Sequence, residues 1–404
     1  MNILFLAHRI PYPPDKGDKI RSFNEIKYLS ENNNIYLGTI LDVESDQEYL
    51  VELKRYCKEV YSVYFYKKLR IIKSVIQDVP FSVSYFYNFD LQEYVNEILE
   101  NENIDIVICF CSTMAEYIFR SRPYKEKELN NISLIMDYVD LDSDKWLQYS
   151  RYTRFPYNLL YKLENKWLLK YEININRTFN QSVFVSQREV DVFRKLYPEV
   201  KNVHFILNGV DSDYFTPEKS TQNSQNILVF TGVMDYFANE DGVKWFCENI
   251  FHKIKAEIPD VLFYIVGNRP TKRVLKLSKI KGVFVTGYVP DIRKYYLMAN
   301  VCVIPLRIAR GLQNKILEAM ATGNAVVATT NASDGLIYNK KVDIIIADEE
   351  EAFAREVITL LKDEKRRKEI GIKAIENIQQ NYSWQVNLKA FDNLLKNKFD
   401  TDVH

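Results

Sequence analysis

The sequence predicts an α/β protein made of two Rossmann-like, doubly wound parallel-sheet domains with a ligand cleft between them. Three observations lead there. The chain has 404 residues, too many for one ordinary core, so two domains near 200 residues each are expected. Short apolar runs alternate with helical patterns from end to end, and most are continuous, as in parallel strands buried on both faces. A polar, turn-rich gap, DSDYFTPEKSTQNSQN at 211–226, splits that succession almost in half.

The strands expected in the first half are 3–7, 35–41, 104–110, 133–136, 183–185 and 203–207. After the gap they resume at 227–231, 262–266, 283–286, 301–305, 325–328 and 344–346. Helices between them imply right-handed βαβ units, whose ligands sit outside the carboxyl ends of the strands. The expected division is an amino-terminal domain at 1–207, a linker at 208–225, a carboxyl-terminal domain at 226–382 and a last helix at 383–404. That helix, SWQVNLKAFDNLLKNKF, has Ser383 as its expected N-cap.

Composition excludes several classes. Hydrophobic residues make up 47%, and Gly and Pro number 12 each, so long disorder is not expected. Lys plus Arg and Asp plus Glu balance at 54 each, which argues against a nucleic-acid partner. Five cysteines form no CxxC pair, as expected in a reducing compartment. The opening MNILFLAHRIPYPP has too short an apolar run for a secretion signal, and no run approaches 18 residues. The expectation is a soluble, cytoplasmic protein.

One stretch poses an electrostatic problem. In PLRIARGLQNKILEAMATGNAVVAT, 305–329, Leu312, Ile316, Leu317 and Met320 recur at helical spacing. Arg307 and Arg310 precede that helix, and Lys315 falls in its first turn. A helix N-terminus is already partly positive and prefers carboxylates nearby. A solvated edge with a Lys315–Glu318 pair three residues apart would not offset that. A bound diphosphate would, because free N–H groups and several cations form an anion site. At an effective dielectric of 20, a cation–phosphate pair at about 4 Å contributes on the order of 4 kcal/mol before desolvation. Glu318, one turn on, is placed to accept hydrogen bonds from a ribose. Phosphate at the first turn and ribose at the second describe a nucleotide.

On these residues a family resemblance appears. LEAMATGNAVVAT resembles the nucleotide-binding segment of glycosyltransferase family 4, and ILNGVDSDYFTP, 206–217, resembles its interdomain segment. The resemblance implies the GT-B fold, a nucleoside-diphosphate sugar as donor substrate, retention of anomeric configuration and no metal or other cofactor. It also implies donor contacts from Gly311, Gln313 and Asn314 beside Glu318. Family members usually carry a second glutamate eight positions before the one at 318, where this chain has Arg310. PLRIARGLQNKILEAMA resembles instead the exosortase- or PEP-CTERM-associated sugar transferases. RIPYPPDKGDKIRSFNEIKYLS (9–30), DYVDLDSDKW (137–146) and GVMDYFANEDGVKWF (232–246) resemble that subfamily too.

Other candidates lie at strand ends. Gly17, in PPDKGDKIRS, would let backbone approach a ligand, with Lys19 or Arg21 at the helix start; a solvated Pro-Gly turn is the alternative. Asp137, Asp140, Asp142 and Asp144 crowd one loop without the glycine and terminal glutamate of a calcium loop. The resemblance makes Asp140 or Asp142 contacts to the transferred sugar or the acceptor hydroxyl, against capping by Asp142 or Ser143. Gly232 would admit phosphate, and Asn239-Glu240 would cap the next helix. Arg269 would touch phosphate or base, or be a solvated loop residue. His8 alone among four histidines falls at a strand end, facing either sugar or structural partners. Two stretches mix aromatics and bases, 60–75 and 150–172; the second either lies on an anionic membrane surface or turns an apolar face to the core.

The sequence therefore reads as a retaining glycosyltransferase acting on a hydroxyl of a surface polysaccharide or lipid-linked glycan, with peripheral contact at the inner face of the membrane as one of the two readings of 150–172. Arg307, Arg310, Lys315, Asp140 and Asp142 are its catalytic candidates. Gly17, Gly232, Arg269, Gly311, Gln313, Asn314 and Glu318 are its donor-binding candidates. A nucleotide-sugar epimerase of the same architecture and a non-catalytic nucleotide-sugar binder are the alternatives.

Overall fold

The computed structural model describes residues 1–65, 79–127, 129, 131–217, 225–309 and 312–396. Of the segments singled out above, 66–75, 218–224, Arg310, Gly311 and 397–404 lie outside the described residues. The chain divides into two compact units, one of Met1–Leu207 with Leu388–His404 and one of Asn208–Asn387.

The first unit holds a parallel sheet of seven strands: β1 Asn2–Ala7, β2 Asn34–Leu41, β3 Glu59–Tyr64, β4 Ile106–Phe110, β5 Ser133–Val139, β6 Gln181–Phe184 and β7 Val203–Phe205. Their order is β3-β2-β1-β4-β5-β6-β7. β1 is an interior strand, and its residues Ile3, Leu4, Phe5 and Leu6 have no solvent exposure. Such burial requires apolar side chains on both faces, hence the unbroken runs. The helix Phe89–Asn101 packs on one face with Leu91, Val95 and Ile98 spaced for one stripe. Asn88 caps it, accepting the Asp90 N–H at 2.8 Å.

The second unit repeats the plan with six parallel strands: β8 Ile227–Thr231, β9 Leu262–Val266, β10 Val283–Val285, β11 Val301–Ile304, β12 Ala325–Ala328 and β13 Ile345–Ile346. Their order is β10-β9-β8-β11-β12-β13. In each sheet the order reverses at one point, between β1 and β4 and between β8 and β11. Chain leaving those strands at their carboxyl ends splays apart, which opens a crevice.

One strand escaped the reading from sequence. β3 carries EVYSVY with mostly half-exposed side chains, because it closes an edge of the sheet. Its apolar content is diluted by alternation, and it merges into the aromatic and basic stretch after it.

Candidate nucleotide site and its surroundings

In the second unit the switch point is flanked by the chain leaving β8 and the chain leaving β11. Gly232 follows β8 with φ of 158°. A Cβ there would lie 2.7 Å from the Asn239 side-chain nitrogen, so glycine is required for Asn239 to fold back over the strand end. Asn239 belongs to the helix Phe237–Trp245 and is buried. It does not cap that helix. Its Nδ2 donates to the Val233 carbonyl at 2.9 Å, and its Oδ1 accepts from Lys315 Nζ at 2.7 Å.

Lys315 is the second residue of the helix Asn314–Ala321, which follows β11. The Gln313 side chain, at the N-cap position, makes no capping bond to this helix, and its first turn carries no acid. Asn314 Oδ1 is buried and has no partner among the described residues. The Lys315 ammonium also sits 5.1 Å from the centroid of the Phe230 ring. Burial pulls its pKa down to about 8, against the opposing field of Glu318. Among the described residues its hydrogen-bond partner is the neutral Asn239 amide, and no carboxylate pairs with it. The cation therefore stands at a helix end of its own sign with little local compensation.

The ion pair between Lys315 and Glu318 does not form. Glu318 Oε2 accepts from the Tyr296 hydroxyl at 2.7 Å, and that hydroxyl lies 2.7 Å from Thr231 Oγ1. Burial raises the Glu318 pKa, opposed by the Tyr296 hydrogen bond and by Lys315. Burial and the Glu318 charge together push the Tyr296 phenol well above its ordinary value. β8, the helix Arg293–Met298 and the helix Asn314–Ala321 are thus tied at one point, which fixes the carboxylate one turn beyond the ammonium.

Arg307 takes another partner. Its Nε and Nη2 meet the two Asp241 carboxylate oxygens at 3.0 and 2.5 Å, and its guanidinium lies 5.7 Å from the Trp245 ring. Asp241 is two residues past Asn239, about 200° around the same helix. Arg269 has φ of 51° and an exposed side chain 3.7 Å from Asp235, a surface pair between the loops after β9 and β8. Gln313 occupies the N-cap position. The structure joins Gly232, Lys315 and Glu318 through Asn239 and Tyr296, while Arg307 and Arg269 stand in separate pairs.

In the first unit Gly17 opens the helix Gly17–Ser30, preceded by extended Lys16. Arg21, expected at a ligand, is fully buried instead. It donates to Asp137 at 3.0 and 2.7 Å and to the Ile206 carbonyl at 2.7 Å, and lies 2.9 Å from Glu25. Burial would lower its pKa, but Asp137 and Glu25 hold it above the ordinary value. Burial and the Asp137 charge push Glu25 well up, despite Arg21. One guanidinium thus compensates Asp137 and keeps β5 tied to the helix Gly17–Ser30.

His8, at the end of β1, is buried, with Nε2 3.4 Å from Asp18 and Nδ1 unpartnered among the described residues. The ends of β4 and β5 carry left-handed non-glycine residues, Cys111 at φ 73° and Val139 at φ 65°. A β-branched residue there is strained; the Val139 N–H bonds Asp137 Oδ1 at 2.9 Å within a register shift of β5. Asp142 begins the helix Asp142–Tyr152 but caps nothing; it lies 3.5 Å from Ser112 Oγ and 3.6 Å from Lys145. The Leu141 and Ser143 N–H groups bond Glu189 and Glu172 from other helices at 2.8 and 3.1 Å. Asp140 lends its charge to Arg21. Among the described residues no three His, Cys, Asp or Glu side chains gather to hold a metal ion.

Residues 225–363 match the family described as Glycosyl transferases group 1, a span that contains Gly232, Asn239, Lys315 and Glu318. Over the whole chain, a protein of the cps region of Klebsiella pneumoniae is 23% identical, covering 98% of this chain and 99% of its own. A glycosyltransferase of Methanocaldococcus jannaschii is also 23% identical, covering 98% and 97%. Among solved structures, HepE of Anabaena in complex with UDP superimposes with a TM-score of 0.68 at 15% identity, covering 98% of this chain and 100% of that one. The chain has the GT-B class of fold, two Rossmann-like units with parallel sheets.

Proposed function

We propose that this protein is a glycosyltransferase that moves a sugar, with retention, from a nucleoside-diphosphate donor to a hydroxyl of a surface glycan, as a polysaccharide or lipid-linked acceptor. The observation that carries it is Lys315, an ammonium without a carboxylate partner among the described residues, in the first turn of the helix Asn314–Ala321. A diphosphate supplies the missing negative charge, and the helix N–H groups supply donors. Glu318, held by Tyr296, offers its second oxygen to ribose hydroxyls. The match to Glycosyl transferases group 1 over this span and the glycosyltransferase relative support the activity. The UDP bound by HepE supports a nucleotide donor, and the cps relative supports a surface-glycan acceptor.

Departure of the nucleoside diphosphate builds charge on its terminal phosphate. Lys315 and the fixed N–H dipoles meet that charge without reorganising, which lowers the barrier. Arg307 contributes on exchanging Asp241 for phosphate, and Arg310, three residues on in the sequence, adds its charge. Asp140 and Asp142 serve the acceptor or the transferred sugar, and Gly17, Gly232, Arg269, Gln313, Asn314 and Gly311 serve the donor.

A thermal-shift screen of nucleoside diphosphates and their sugars, followed by incubation with glycan extracts, tests the proposal. Stabilisation by a nucleoside diphosphate and acceptor-dependent release of it are expected, with the product's anomeric configuration read by NMR. Isomerisation of the donor without acceptor would establish an epimerase instead. Tight donor binding with no turnover on any extract would establish a binding protein.

A further inference from the structure

The helices Asp142–Tyr152 and Tyr157–Thr178 of the first unit form a hairpin whose turn is crowned by hydrophobic side chains. Phe155 is 77% exposed, Tyr157 59%, Leu159 54% and Leu160 45%. Among the described residues no other six-residue window holds more than two large exposed hydrophobics. Single exposed apolar residues are ordinary, but a contiguous cluster marks an interaction surface. The long helix has no buried residue before Glu164, so its first two turns project beyond the packed core.

Charge says what this surface meets. Arg151, Arg154, Lys162, Lys166 and Lys170 are all exposed, and none has a carboxylate partner among the described residues. Lys145 and Arg177, at the other ends of the two helices, do have one. Between 147 and 171 the single acid is Glu164. It is buried and turned inward, accepting from the Phe81 and Ser82 N–H groups at 2.7 and 2.9 Å. The lysines recur every fourth residue, a stripe of roughly 12 Å along one edge of the helix.

We propose that this hairpin docks on an anionic lipid membrane. Phe155, Tyr157, Leu159 and Leu160 enter the boundary between headgroups and acyl chains, while the five cations meet headgroup phosphates. A protruding apolar tip ringed by uncompensated cations fits a surface that is negative outside and apolar a few ångströms beneath. A nucleic acid would use the cations but leave the tip in water. No described helix is long and apolar enough to cross a membrane, so the contact is interfacial. This surface is independent of the donor-site reading, and its test reads binding rather than turnover.

Co-sedimentation of the full chain with vesicles decides it. Binding is expected to vesicles of equal phosphatidylcholine and phosphatidylglycerol, and not to phosphatidylcholine alone. Lys162→Glu/Lys166→Glu/Lys170→Glu and, separately, Phe155→Ser/Leu159→Ser should each lower the partition constant about tenfold or more. The altered side chains are exposed, so unchanged thermal melts will show that both variants fold. Absence of wild-type binding to the anionic vesicles overturns the proposal. So does binding indifferent to the apolar pair, or displaced fully by soluble duplex DNA, since either describes a general polyanion surface.

Discussion

The side-chain oxygen of Asn239 holds the Lys315 ammonium at 2.7 Å. An amide can orient a cation but cannot neutralise it, so the charge is aimed and left available.

Replacing that cation tests its worth. Lys315→Ala is expected to cost about 2–4 kcal/mol of transition-state stabilisation, a fall of roughly 30- to 1000-fold in kcat/KM. Steady-state kinetics with donor and acceptor measure it, and unaltered turnover would remove Lys315 from the site.

Acidity provides a second handle. Burial holds Lys315 at about 8 in the free protein, against 10.5 ordinarily. A bound diphosphate favours the charged amine, so binding takes up a proton once pH passes about 8. Affinity for a nucleoside diphosphate is then flat below that pH and falls above it, by at most about tenfold per unit. The ligand-free protein behaves oppositely. Its unfolded state binds more protons between the two pKa values, so stability rises with pH through that window. Calorimetric titration in buffers of different ionisation enthalpy measures the uptake, and Lys315→Met should abolish it.

Gly232→Ala probes the orientation of the ammonium. The added methyl meets the Asn239 amide at 2.7 Å and adopts a backbone conformation that costs on the order of 1–3 kcal/mol. Displacing Asn239 releases Lys315, so donor affinity should fall about tenfold or more. Denaturation and donor titration on the same variant separate the two effects; a stability loss with affinity intact would refute the coupling.

The Arg21–Asp137 pair is expected to carry stability rather than chemistry. Arg21→Met leaves Asp137 as a buried uncompensated charge and should cost about 3–5 kcal/mol in urea unfolding. Arg21→Met with Asp137→Leu should cost less than the single change, because Glu25 is then the one carboxyl left without its cation.

Some of this was legible from sequence and some was not, for local reasons. β8, β9 and β12 begin and end where their apolar runs do, since strands buried on both faces admit nothing else. Lys315 stands out in the sequence because three cations before and within one helical turn oppose the helix dipole. Asn239 looked like a cap because its neighbours open a helix, whereas its partner lies 76 residues away. Tyr296 left no signal, for its contact with Glu318 joins two separate helices. Arg21 is ambiguous for the same reason: a helix start is equally compatible with ligand and core, and Asp137 lies 116 residues off.

The chain leaves its first unit after Leu207 and returns to it at Leu388, bringing Phe391, Leu394 and Leu395 back as buried residues. A gene fragment ending at 207 would therefore lack part of its own interior. Anyone wishing to express that half alone must graft the last helix onto it or permute the termini.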